Sequence, residues 1–266
     1  MNNEDLKGSR PAGTVRRLPF AADHRPWSPP GRAFAMWQVW HDLLFAHWPV
    51  PPEMLRPTIP AGLDLDLFEG RAWVGVVPFR MSGIRLRGQP FAAPWVGAFP
   101  ELNVRTYVTA PGGDRPGVYF YSLDAANPVA VALARRWYHL PYFFARMSSR
   151  ERAGWIEYES WRAHPGAPRS RFRGRYRPVG VPFRAQPGSL EAWLTERYAL
   201  YTTDKGGRPL RGEIHHLPWP LQPAEAELQF HALTAQHGIA LPQAPPLLHF
   251  ARRLDIVAWT LAPFAR

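Results

Sequence analysis

The sequence has no cysteine among its 266 residues. Disulfides, thiolate nucleophiles, iron–sulfur clusters and cysteine-based zinc sites are therefore excluded. Lysine is almost as rare: Lys7 and Lys205 are the only two, so a Schiff-base mechanism has few amines to use. No apolar run approaches the roughly 18 residues that indicate a transmembrane helix. These absences suit a reducing compartment without a membrane span, and we expect a cytoplasmic location.

Long helices are also disfavoured, because proline and glycine are frequent. The chain contains 31 prolines and 21 glycines, which indicates many turns. Hydrophobic residues make up 46% of the chain, enough to fill a globular core. Apolar and polar residues alternate in several stretches, such as LDLDLF at 63–68. We therefore expect an α+β protein that is mostly β, with a few short peripheral helices.

The chain divides into a tail and one domain. Residues 1–33 are polar, basic and rich in proline, so we expect a disordered or loosely draped tail. Arg16 and Arg17 are followed by Pro19 rather than by an apolar segment, and no signal peptide is expected. Neither a linker nor an internal repeat follows the tail. Residues 34–266 are expected to form a single domain.

The net charge of +11 comes almost entirely from arginine. Most arginines are scattered, which favours a solvated surface over a nucleic-acid interface. One ordered stripe stands out in SRFRGRYR at 170–177, where the arginines alternate with apolar or small residues: Arg171, Arg173, Arg175 and Arg177. This stripe keeps a second function open, the binding of nucleic acid or another polyanion, although a solvated outer face is the simpler interpretation.

The segment from Phe99 to Met147 combines a hairpin, a helix and unexplained charges. Two alternating runs, Glu101–Thr109 and Gly117–Leu123, flank a loop rich in glycine and proline, which predicts a β-hairpin. An Asn-Pro step then predicts a short helix over Val129–Trp137, ended before a proline. Charged side chains on such strands must point either to solvent or into a polar interior.

Several stretches of this segment and of later parts of the chain resemble the bacterial YqjF-like family of uncharacterised proteins. They are FPELNVRTYV, GVYFYSLDA, LTERYALY and HHLPWPL, and the likeness spans about residues 35–262. The resemblance implies an acetoacetate decarboxylase-like fold. That fold is a mostly antiparallel, barrel-like β-structure with a few peripheral helices, closed around an inner cavity.

The same resemblance argues against the chemistry of the decarboxylases. ARRWYHLPYF at 134–143 is similar to their signature, in which the first lysine after the proline forms the Schiff base. Aligned on Pro141, Tyr142 and Phe143 stand at the two lysine positions, and neither side chain can form an imine. Arg135 matches the arginine of the signature. An enzymatic activity is left open, but not that of a Schiff-base decarboxylase.

If the cavity is present, six side chains are candidates to bind a ligand: Glu101, Asn103, Arg105, Tyr121, His139 and Tyr142. Glu101, Asn103 and Arg105 are spaced by two, so they share one face of a strand. An inward Glu–Arg pair could bind a carboxylate or polarise a carbonyl, with Glu101 as acid or base. The other interpretation is an internal salt bridge that only holds the barrel. Tyr142 could donate a hydrogen bond to a ligand or be a core aromatic.

No cofactor is expected. The ten histidines show no metal-binding spacing, and no nucleotide or hydrolase motif is present, so neither a metal nor a nucleotide is predicted. His139 is singled out only because it precedes the leucine and proline of the signature. The leading hypothesis is an enclosed cavity that binds, and as an open alternative transforms, a small organic acid or carbonyl compound. A homo-oligomer is left open.

Overall fold

The computed structural model describes residues 18–89, 91 and 96–264. The described part contains three short α-helices: α1 (Pro52–Leu55), α2 (Pro128–Trp137) and α3 (Leu190–Thr195). Its strands are β1 (Met36–Val50), β2 (Asp64–Leu65), β3 (Ala72–Leu86), β4 (Phe99–Thr109), β5 (Gly117–Ala125), β6 (Tyr142–Arg152), β7 (Trp155–Arg162), β8 (Arg171–Pro178), β9 (Ala199–Thr203), β10 (Pro209–His215), β11 (Gln222–His231), β12 (Leu247–Ala258) and β13 (Ala262–Pro263). Within these residues, no helix is long and apolar enough to cross a membrane.

The strands close into two rings that share one wall. The first ring is a nine-stranded barrel in the order β4, β5, β6, β7, β8, β11, β12, β1 and β3, closed by the pairing of β3 with β4. On the other side of the shared strands, β9 pairs with β5 and β10 pairs with β12, which closes a second ring. Most pairs are antiparallel, but β5 runs parallel to both β6 and β9. The prediction of a mostly β, barrel-like fold is confirmed.

Each ring has its own core, because the shared strands present alternate side chains to opposite sides. Leu44, Val74 and Leu102 pack in the first ring against the aromatic residues of β7 and β8. Leu43 and Val77 pack in the second ring. A strand buried on both faces reads as a nearly continuous apolar run, which explains why β1 has no polar face in the sequence.

Side-chain caps fix the start of the two longer helices. The side chain of Asn127 accepts a hydrogen bond from the backbone N–H of Ala130, and Pro128 occupies the first turn of α2. Ser189 caps α3 in the same way, by accepting from the N–H of Ala192. The end of α2 leads through Leu140 directly into β6, which positions the start of that strand beside β5.

The expectation of a loose tail does not hold for residues 18–33. Arg25 is 8% exposed and forms an ion pair with Glu213 of β10 at 3.1 Å. Trp27 donates to the same carboxylate, and the ring of Phe20 lies 5.4 Å from that of His215. The composition suggested a solvated segment, but its few aromatic residues and one arginine bind it to β10. The rest of the predicted tail, residues 1–17, lies outside the described residues.

Candidate functional site

The three charged or polar residues predicted to share a face of β4 do so, and this face points into the second ring. Glu101, Asn103 and Arg105 are 2%, 5% and 8% exposed, respectively. Across β3 they are opposite Phe79, Val77 and Gly75. Because Phe79 and Val77 belong to the core of the second ring, the register carries the polar residues of β4 to the same side.

Glu101 and Tyr142 form a hydrogen-bonded pair at one end of this face. The parallel pairing of Leu123 with Tyr142 brings β6 alongside β5, and the Tyr142 hydroxyl donates to Glu101 Oε2 at 2.9 Å. Burial raises the pKa of Glu101 from 4.5 to about 8, although the hydrogen bond from Tyr142 opposes the shift. Burial and the neighbouring Glu101 raise the pKa of Tyr142 well above 10. The pair is therefore neutral at pH 7.

Arg105 lies further along β4 and forms no ion pair with Glu101. Within the described residues, no carboxylate lies within 4.0 Å of its guanidinium. Its Nη2 makes only long contacts, 3.4 Å to the Leu194 carbonyl and 3.5 Å to the Tyr107 hydroxyl. The ring of Phe45 is 5.5 Å from the guanidinium carbon. The internal salt bridge that the sequence left open is thus not formed.

His47 and Tyr107 complete the surroundings of Arg105, and neither was singled out in the sequence. The Tyr107 hydroxyl donates to the Leu194 carbonyl at 2.9 Å, and the same oxygen lies 2.7 Å from His47 Nε2. A hydroxyl has one proton, so Nε2 of His47 carries the hydrogen and Nδ1 is a bare acceptor. Burial, and then the charge of Arg105, lowers the pKa of His47 well below 6.5.

Gly75 makes this arrangement sterically possible. A Cβ atom at position 75 would lie 3.0 Å from His47 Cδ2 and 3.4 Å from Arg105 Cγ. The alternation of side chains along β1 was the only sequence signal for His47. His47 shares a face with Phe45, in a strand that is buried on both sides. That His47 lies beside Arg105, however, depends on how β1, β3 and β4 pair, and strand pairing cannot be read from the local sequence.

Several buried polar atoms around Arg105 lack a hydrogen-bond partner among the described residues. They are Arg105 Nε, His47 Nδ1, Asn103 Oδ1 and His249 Nδ1. His249 pairs with Phe45 across β1 and β12, and it contributes to the lowered pKa of His47. Buried polar groups without partners are rare, so four in one region need a physical reason. We call Arg105, His47, Asn103, Tyr107 and His249 the Arg105 cluster.

Tyr121 and His139 are not part of this cluster. The pairing of β4 with β5 shifts register after Val104, which leaves Tyr121 as an extra residue in β5. This bulge turns Tyr121 into the core of the first ring, where its hydroxyl lies 2.7 Å from that of Thr58. Tyr121 and His139 instead line an open cleft of about 720 Å³, here called the fork cleft. The six predicted residues therefore divide between two places.

The single lysine among the described residues does not lie in the protein interior, where a buried imine with a ligand would form. Lys205 lies exposed in the turn between β9 and β10. The residue at the start of β6 is Tyr142, whose side chain cannot form an imine. The other lysine, Lys7, lies outside the described residues.

The arginine stripe of β8 faces outward, and three of its four charges are paired with carboxylates of the neighbouring strands. Arg173 pairs with Glu159 of β7, whereas Arg175 and Arg177 pair with Glu227 and Glu225 of β11. Arg171 stacks over the ring of Trp161. Because three of the four charges of the stripe are paired with carboxylates, little uncompensated field is left for polyanion binding, and the polyanion hypothesis is not favoured.

Comparison with known proteins supports the resemblance seen in the sequence. A family model, DUF2071, described as an uncharacterized conserved protein, matches residues 37–255. The uncharacterized protein YqjF of Bacillus subtilis (strain 168) is 46% identical over 234 residues, which cover 88% of this chain and 94% of that protein.

Solved structures with a similar fold include acetoacetate decarboxylases. The enzyme from Legionella pneumophila has a TM-score of 0.58 at 14% identity, with 91% of this chain and 93% of that chain covered. The enduracididine biosynthesis enzyme MppR complexed with pyruvate has a TM-score of 0.57 at 11% identity, with the same coverage. At these identities the likeness establishes the fold alone.

Proposed function

This chain belongs to the DUF2071 family of uncharacterized conserved proteins, and from that premise we propose that it binds a small organic acid or carbonyl compound at the Arg105 cluster. The ligand carboxylate would pair with Arg105, and a carbonyl or hydroxyl oxygen would face Glu101 and Tyr142. Binding would be noncovalent, because a tyrosine stands at the lysine position of the related decarboxylase signature.

The observation that carries this proposal is a buried guanidinium without a carboxylate partner. Moving an isolated charge out of water costs several kcal/mol, and buried charges in proteins are normally paired. A ligand carboxylate would supply the missing countercharge, and its two oxygens match the fork of guanidinium N–H groups. Arg105 Nε is one such donor without a partner among the described residues.

The neutral pair at the other end of the β4 face favours an anion too. An ionised Glu101 would repel a carboxylate, but with its pKa raised to about 8 it is mostly protonated at pH 7. Tyr142 already donates to Glu101 Oε2, so the acid proton on the other oxygen is available to a ligand. Glu101 and Arg105 are four residues apart, about 13 Å between Cα atoms, and both side chains reach inward.

Pyruvate is a suitable first probe, because it carries a carboxylate and a carbonyl and because MppR, with a similar fold, has been solved in complex with it. Calorimetry should detect saturable binding of pyruvate to the intact chain. We expect Arg105→Met to weaken it at least tenfold. Arg152→Met, which removes the same charge from an exposed position at the end of β6, should leave the dissociation constant within twofold.

A stability measurement separates loss of binding from loss of structure. Since Met keeps an unbranched, largely apolar stem and removes an unpaired buried charge, Arg105→Met should unfold at a urea concentration equal to or above that of the parent. Borohydride added to the pyruvate complex should produce no gain in protein mass. Unchanged pyruvate affinity in Arg105→Met, or a reduced pyruvate adduct on a lysine, would contradict the proposal.

A further inference from the structure

The fork cleft lies where β5 changes its neighbour. β5 pairs with β9 through Val118 and Tyr119, and with β6 through Leu123–Ala125. Between these points, residues 120–122 have no strand partner on that edge, and the bulge at Tyr121 falls in the same gap. The loop after α2 and the turn after β9 both line the cleft.

The backbone is held in an unusual conformation at this place. His139 has a φ of 48°, in the left-handed region that few residues other than glycine adopt. Its carbonyl accepts a hydrogen bond from the Thr202 hydroxyl at 2.6 Å, which ties the loop after α2 to β9. Such conformations persist where surrounding contacts over-determine them, and they cluster at binding sites.

Two cations without carboxylate partners meet at the wall of this cleft. Arg135 and Lys205 line both the fork cleft and an adjoining cleft of about 630 Å³. Neither forms an ion pair within 4.0 Å with any carboxylate of the described residues. Asp204 also lines the fork cleft, but its carboxylate is engaged by the backbone N–H groups of Gly206 and Arg208 and by the Arg208 side chain at 3.9 Å.

The floor of the fork cleft is aromatic. Tyr119, Tyr121 and Phe143 line it, and the first two rings meet edge to face at 5.6 Å. The guanidinium carbon of Arg162 lies 4.2 Å from the centre of the Phe143 ring. Arg135 is held, because its Nη1 donates to the Tyr142 carbonyl at 2.7 Å. Rigid flat rings beside an anchored cation form a surface that a planar ligand can stack on.

We propose that the fork cleft is a second ligand site, which takes a planar aromatic molecule bearing a carboxylate or a phosphate. The ring of the ligand lies against Tyr119, Tyr121 and Phe143, and its anionic group lies between Arg135 and Lys205. A volume of about 720 Å³ is in the range of sites for small organic molecules. None of the side chains that would bind this ligand belongs to the Arg105 cluster. The proposal of a second site is therefore independent of the function proposed above.

Fluorine NMR titration tests this site with two probes, para-fluorobenzoate and para-fluorophenyl phosphate. We expect saturable line broadening with at least one of them, and the tighter probe identifies the preferred anion. Lys205→Met should weaken binding at least fivefold, and Lys205 is exposed in a turn, so its replacement leaves folding intact. Arg135→Met should do the same, whereas Arg152→Met should change the dissociation constant less than twofold.

Arg105→Met distinguishes the two sites, because it should weaken pyruvate binding at least tenfold and leave the affinity for the fluorinated probes unchanged. Phe143→Leu should weaken the probes through loss of the stacking surface. The inference is overturned if no probe saturates below about 10 mM, a weak-binding limit near 3 kcal/mol. It is also overturned if Lys205→Met and Arg135→Met bind as the parent does, or if Arg105→Met alone removes the signal.

Discussion

Glu101 is 2% exposed, and its carboxyl group accepts one side-chain hydrogen bond, from Tyr142. Its neighbourhood offers no cation close enough to hold it ionised, since Arg105, four residues on, interacts with Leu194 and Tyr107 instead. Burial therefore dominates, and it raises the pKa of Glu101 to about 8. The consequence is a stability that depends on pH in a direction opposite to that of a salt-bridged carboxylate.

Glu101→Gln should remove this pH dependence. In the unfolded chain Glu101 ionises near pH 4.5, whereas in the folded chain it holds its proton up to about pH 8. The folded state thus binds more protons between these values, and the contribution of Glu101 to stability falls as the pH rises through them. Between pH 5 and pH 9 we expect the difference in unfolding free energy to shift on the order of 3–4 kcal/mol in favour of the variant, measured by urea denaturation.

Glu53→Gln is the matched control for this measurement. Glu53 lies exposed in the first turn of α1, and its replacement should give the same difference in unfolding free energy at both pH values, within about 0.5 kcal/mol. The comparison with the parent cancels the contribution of other groups, such as the buried His47. A Glu101→Gln variant that tracks the parent from pH 5 to pH 9 would show that Glu101 is ionised in the folded protein.

Among the secondary-structure elements, β5 lies where the two rings divide, since it pairs with β4, β6 and β9. Its first residue, Gly117, sits against β9 so closely that an added Cβ would lie 2.5 Å from the carbonyl oxygen of Ala199. A backbone atom cannot move aside as a flexible side chain can. Gly117 is therefore required, because the parallel strands β5 and β9 approach each other closely at this position.

Gly117→Ala should destabilise the protein by about 1–3 kcal/mol, because β5 and β9 must separate to admit the methyl group. Thermal unfolding monitored by circular dichroism provides the measurement. Gly31→Ala is the control, since a Cβ at position 31 meets nothing within 4 Å, and it should stay within about 0.5 kcal/mol of the parent. Equal melting temperatures for the two variants would show that the strands do not approach as closely as described.

The same elements show what sequence patterns could and could not reveal. Alternation and turn residues predicted β4, β5 and α2 to within two residues at each end, because those signals are local. β6 was not predicted, since YFFARMSSRER has no alternating pattern and its burial comes from β5 and β7. The bulge at Tyr121 was equally hidden, and it reverses the face of that residue. Local patterns therefore found the Glu101, Asn103 and Arg105 face, but not the contacts that complete it.

At the scale of the whole molecule, two rings share the strands β12, β1, β3, β4 and β5, and Glu101 and Arg105 lie on this shared wall. Each side of this wall has a separate core, so the polar face of β4 is enclosed by the second ring alone. The outer surface of that ring, at β10, is covered in turn by residues 18–33. Enclosure of the Arg105 cluster thus depends on strands far apart in the sequence, which no local pattern encodes.

Replacing Arg25 tests whether residues 18–33 contribute to the stability of the second ring. Its guanidinium donates to the Ile214 carbonyl at 2.6 Å and pairs with Glu213, and the side chain is fully buried. Breaking a buried pair from one side costs about 3–5 kcal/mol, but Glu213 keeps a second partner in Arg115 at 2.7 Å. We therefore expect Arg25→Ala to lower the free energy of unfolding by about 3 kcal/mol in urea denaturation.

Arg32→Ala, which removes an exposed arginine of the same segment, should cost less than about 1 kcal/mol. Equal, small effects would mean that the segment is only draped over β10, as its composition alone predicts.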